Sequence, residues 1–100
     1  MLAISGRLRF PPAAHDEMVG VLREIAETTR RDDGCVEYWW AADLVDRGVF
    51  HFFECWESED TFAAHRNAPY ELEFNDRYLP RIVGAEASQY EVTSVQSLTG

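Results

Sequence analysis

One histidine, one glutamate and a set of aromatic rings stand where they could act on an electron-rich ring. His65 shares a helical face with Phe62, three residues earlier, and a neutral imidazole can take up a proton near pH 7. The same position equally suits a core histidine with one ring N–H satisfied. Glu54 lies two residues before Trp56 in an extended run and therefore shares its strand phase. A carboxylate on so apolar a face must be paired or have a raised pKa. That makes Glu54 a candidate base, although pairing with an arginine or with helix N–H groups is the commoner arrangement.

Tyr38, Trp40 and Phe52 fall in the same phase as Trp56, while Tyr70, Phe74 and Tyr78 recur at spacings of four further on. Rings grouped this way suit a flat ligand, and they also make ordinary core. His51 takes the opposite strand phase, with Phe53 and Cys55, and His15 sits in the first turn of an exposed helical face. Three scattered histidines with Cys35 and Cys55, which form no CxxC, give no metal-ligand spacing, so no metal site is expected.

The chain that must position these groups has 100 residues, 46% of them apolar, which suits a single domain over residues 1–100. Eighteen acidic residues stand against nine basic ones, all arginine, for a formal charge of −9. No basic stripe is present to neutralise phosphates, so nucleic acid and anionic membrane surfaces are not expected as partners. The first ten residues alternate and carry Arg7 and Arg9, unlike the apolar run of a secretory signal. A cytoplasmic protein with reduced thiols is the expectation.

Alternation over residues 2 to 10 predicts a strand that Pro11 and Pro12 stop. Met18, Val21, Leu22, Ile25 and Thr29 recur at three and four, so residues 14 to 31 read as an amphipathic helix. A turn at Asp32–Gly34 leads into a hairpin of residues 35 to 43 and 49 to 56. In regular alternation Val36 would join Tyr38 and Trp40, and Cys35 would join Trp39 and Cys55. Both faces of this hairpin are apolar, so one needs helices and the other a second cover, for which a partner subunit is the economical answer. Ser58 suits an N-cap, Pro69 the first turn of a further helix, and residues 85 to 95 a last strand. The order β-α-β-β-α-α-β is that of an α+β, ferredoxin-like split βαβ sandwich.

Gly34-Cys35-x-x-Tyr38, then Glu54-x-Trp56-Glu57-Ser58, then Ala64-His65-x-x-x-Pro69 stand in this order on these elements. On these landmarks the chain resembles the antibiotic biosynthesis monooxygenase family. The resemblance implies a homodimer whose sheets meet as a dimeric α+β barrel, with a pocket in each subunit between sheet and helices. The Trp56 phase would then face the helices. It also implies an oxidoreductase that uses no cofactor, a monooxygenase that oxidises an aromatic quinol, anthrone or polyketide-like small molecule with dioxygen. His65 and Glu54 would be its catalytic residues, and Tyr38, Trp40, Phe52, Trp56, Phe62, Tyr70 and Phe74 would bind substrate. A non-catalytic binder of a small aromatic metabolite, or an isomerase using the same pocket, is the alternative. The Asn, Trp and His of the family's haem-degrading branch align with Gly6, His65 and Asn75, and none matches.

Overall fold

The computed structural model describes all of residues 1–100. Four strands, β1 (Leu2–Arg9), β2 (Cys35–Ala42), β3 (Val49–Trp56) and β4 (Gly84–Glu91), form one antiparallel sheet in the order β2-β3-β1-β4. Three helices, α1 (His15–Thr29), α2 (Glu59–Arg66) and α3 (Pro69–Tyr78), complete the split βαβ arrangement. No helix is long and apolar enough to cross a membrane.

Each boundary has a local cause. Pro12 opens a short 3₁₀ turn before α1, whose first turn carries Asp16 and Glu17 against the positive end of its dipole. α1 buries Met18, Leu22, Ala26 and Thr29, at spacings of four, four and three. At α2 the Ser58 side chain accepts from the Thr61 N–H at 3.1 Å, and Thr61 Oγ1 accepts from the Ser58 N–H at 3.2 Å. This reciprocal box uses a hydroxyl where glutamate is usual. Pro69 sits in the first turn of α3, where its missing N–H costs nothing.

Two buried clusters fill the space between sheet and helices. One joins Leu2, Ile4, Ala26, Tyr38, Phe52 and Trp56, and the other Phe10, Ala14, Met18, Leu22, Phe50 and Phe74. Leu8, Ile25 and Trp40 pack against both, making the core continuous.

Two expectations need correction. A bulge places Cys35 opposite Trp56 and Glu37 opposite Cys55, so Val36 has no partner and is 51% exposed. The extra residue flips the alternation: Cys35 joins the helix side with Tyr38 and Trp40, and Cys55 lies on the other face. The last strand stops at Glu91, not at residue 95. Val92 N–H still bonds the Met1 carbonyl at 2.9 Å, but Thr93 and Val95 lie outside the ladder, where β propensity alone does not hold a strand.

Candidate active site

Three chain segments converge on the His65 imidazole. α2 presents it from its last turn, the turn after α1 brings Asp32, and the first turn of α3 brings Tyr70. The side chain is 2% exposed. Its ring stacks on Trp56 at 4.8 Å, and Tyr38 meets it edge-on at 5.9 Å. Nδ1 lies 2.8 Å from the Tyr70 hydroxyl and 3.3 Å from Asp32 Oδ2.

Proton counting favours one tautomer of this network. The Tyr70 hydroxyl donates its one proton to Asp32 Oδ2 in a short bond, so its oxygen accepts from Nδ1–H. Nε2 is then the lone-pair nitrogen. It faces Glu71 Oε2 at 3.7 Å and Glu54 Oε1 at 3.9 Å, separations too long for direct hydrogen bonds. Thr29 Oγ1 lies 3.2 Å from the Tyr70 oxygen and extends the network into α1.

The two carboxyls facing Nε2 are held differently. Glu54 Oε1 accepts from Trp56 Nε1–H at 2.9 Å, whereas buried Glu71 Oε2 has no hydrogen-bond partner. Burial raises Glu71 to about 7, aided by the negative charges of Glu54 and Asp32. Burial also raises Glu54, with the Trp56 bond opposing. For His65 burial lowers the pKa, against the pull of Asp32. Near neutral pH the site therefore holds an uncharged imidazole beside a carboxyl poised between its two protonation states. Glu54 pairs with neither an arginine nor helix N–H groups; the indole of its strand neighbour is its partner.

Tyr38, Glu54, Trp56, Phe62 and Tyr70 all surround His65. Trp40 and Phe52 pack on each other at 4.8 Å beside this group, and Trp40 Nε1–H donates to the Tyr38 hydroxyl at 2.9 Å. Phe74 stands apart in the second cluster, against Tyr78. Three participants escaped the sequence reading: Asp32, read as a turn residue, Thr29, read as part of an apolar stripe, and Glu71. A hydroxyl on the buried stripe was a usable signal for Thr29. Glu71 gave none, since an acid in a helix's first turn ordinarily serves the dipole in solvent.

An open groove of about 400 Å³ borders His65 on the α2 side, with Asp32, Asp33 and Asp60 on its walls. A second, of about 290 Å³ and mostly apolar, runs between α1 and β2, with Trp40 in its lining. No three or more His, Cys, Asp or Glu side chains have metal-binding geometry. Gly6 has no room for a side chain, because a Cβ there would stand 2.1 Å from the Glu86 carbonyl of β4.

Fold and site together define a ferredoxin-like α+β domain with a buried, carboxyl-flanked histidine between sheet and helices. A family model described as antibiotic biosynthesis monooxygenase matches residues 1–77, and the chain belongs to that family. It is 25% identical to an uncharacterised protein of Synechocystis sp. over 99 residues, 97% of this chain and 67% of that one. Among solved structures, a proposed antibiotic biosynthesis monooxygenase of Deinococcus radiodurans superposes with a TM-score of 0.87 at 24% identity, each chain fully covered. Another, of Nitrosomonas europaea, gives 0.85 at 15% identity, with 94% of this chain and 100% of that one covered. At such identities these two establish the fold.

Proposed function

We propose that this protein is a cofactor-independent monooxygenase that oxidises an aromatic quinol, anthrone or polyketide-like molecule. The observation that carries the reading is the buried His65, held at Nδ1 by Tyr70 and with Nε2 3.7 Å from a Glu71 carboxyl that burial raises to about 7. Electron-rich phenols and enols become reductants of dioxygen once deprotonated. His65 takes that proton, and the resulting carbanion or phenolate transfers an electron to dioxygen. Radical recombination forms a C–O bond, the O–O bond of the peroxide then breaks, and a ring methylene ends as a carbonyl. The second oxygen leaves as water, its protons returned through His65, and all four electrons come from the substrate.

Tyr38 links this base to the groove where a flat ring fits. Its hydroxyl accepts from Trp40, which lines the α1–β2 groove, and its ring packs on His65. Burial raises the pKa of its phenol against the Trp40 bond, and the charges of Glu54 and Glu71 add to the rise. Metal-free protein should consume oxygen with a quinol or anthrone from a broad panel, and His65→Ala should lower turnover by at least about a hundredfold. Undiminished turnover in that variant removes His65 from the mechanism.

The 2% exposure of the His65 side chain favours a second reading, a non-catalytic binder in which the groove holds an aromatic metabolite and the histidine is structural. Saturable binding without oxygen consumption across the same panel selects it. Either activity would reside in a homodimer. On the sheet face opposite the helices Trp39 stacks on Phe53 at 6.0 Å, and Tyr90 is 52% exposed. Sedimentation at micromolar concentration should give a dimer, and a stable monomer would contradict this assembly.

A further inference from the structure

The groove between α1 and β2 has a charge character opposite to that of the chain around it. Five of the nine arginines, Arg7, Arg9, Arg47, Arg77 and Arg81, are paired with carboxylates. Of the four that are not, Arg66 lies over the Phe62 ring and Arg31 lies outside the groove. The other two, Arg23 and Arg30, both line it. In a chain with twice as many acids as bases, two guanidiniums left without a carboxylate on one apolar groove are a local reversal of sign.

Geometry adds direction to that charge. Arg30 Nε–H donates to the Tyr38 carbonyl at 2.9 Å, which anchors the stem of the guanidinium. Its two terminal nitrogens make no hydrogen bond within the chain, the arrangement that can grip a carboxylate with a planar fork. Trp40 and Phe50 supply aromatic surface, with Leu22 and Ala26 from α1. The Trp40 N–H is already committed to Tyr38, so the ring offers stacking and no free donor. Glu27 lies on the same rim, four residues after Arg23 and three before Arg30, yet pairs with neither. The rim therefore carries one net positive charge, suited to a monoanion. A volume of about 290 Å³ falls at the small end of ligand pockets and suits one or two fused rings.

We propose that this groove binds a one- or two-ring aromatic carboxylate, its ring against Trp40 and its carboxylate on the free nitrogens of Arg30, with Arg23 as a second positive charge. The inference rests on the proposed activity only in assigning the ligand as substrate; as a binding site it stands alone.

Two probes of the same shape test it: 2-naphthoate and its neutral isostere 2-naphthamide, titrated without oxygen into metal-free protein and followed by calorimetry. The carboxylate should bind roughly tenfold or more tightly than the amide at low ionic strength, the scale of one charge-assisted hydrogen bond. Arg30→Gln should abolish that preference and Arg23→Gln reduce it, while Arg31→Gln retains it. Because Arg30 also holds the Tyr38 carbonyl, Arg30→Lys serves as a second variant; it keeps the charge without the fork and should show an intermediate preference. Equal affinity for the two probes in the unaltered protein, no binding of either at millimolar concentration, or a preference that survives the double Arg23→Gln, Arg30→Gln change overturns the inference. Selective binding without oxygen uptake on any quinol keeps this inference and removes the monooxygenase reading. Oxygen uptake without charge preference does the reverse.

Discussion

On each side of the sheet a histidine stands beside an aspartate, and the two sides treat the pair in opposite ways. On the helix side His65 is 2% exposed, stacked on Trp56, and has a lowered pKa because lost hydration outweighs the attraction of Asp32. On the open side the His51 side chain is 39% exposed and its Nε2 lies 2.8 Å from Asp43 Oδ1. Asp43 also accepts from the Val45 and Asp46 N–H groups, and these bonds hold its pKa far below the usual carboxylate range. Glu71, with no donor at its buried oxygen, is pushed the other way. Residue types alone do not set protonation; the donors and water each group retains do so.

The largest break in this contrast is expected from the stacking platform. Trp56→Ala should destabilise the fold by about 3–5 kcal/mol, the usual cost of emptying a fully buried aromatic site. Equilibrium denaturation measures it, and a cost below about 1 kcal/mol would mean that the ring is not an anchor of the core.

Glu71→Gln sharpens the electrostatic half of the contrast. A carboxyl whose folded pKa is about 7, above the ordinary 4.5 of a glutamate, contributes stability that is fully present below the unfolded value and lost as pH rises through 7. The loss across that window is at most about 3 kcal/mol. His65 acts in the opposite sense: its lowered pKa gives stability above pH 6.5 that is lost as pH falls toward the folded value. Denaturation at pH 5.5 and pH 8 should show the unaltered protein gaining less on the alkaline side than Glu71→Gln does. Parallel profiles would place Glu71 in contact with water.

The smallest effect belongs to the open face. Trp39 is already 37% exposed, so Trp39→Ala should change the stability of the isolated chain by about 1 kcal/mol or less while weakening the proposed dimer. Sedimentation of the variant beside denaturation of a dilute sample separates the two effects.

Much of the fold was legible because each signal was local. Leu2 and Ile4 alternate with their neighbours, Met18, Leu22 and Thr29 mark one helical stripe, and Ser58 caps α2 as a hydroxyl before an acidic first turn should. The errors fell where locality fails. A bulge after Cys35 is one residue of excess that no periodicity announces, yet it moves Cys35 and Val36 to faces opposite those expected.

Spacing put His65 on the inward face of its helix and Tyr38 and Trp56 in one strand phase, and the family resemblance implied that this phase faces the helices. Only the tertiary structure decided what surrounds that histidine. Asp32 and Tyr70 are 38 residues apart, and Glu71 is ordinary in its own helix. Tyr70 and Glu71 have raised pKa values because α1, α2 and α3 close around one imidazole and exclude water. That exclusion belongs to the packed assembly, so no single segment records it.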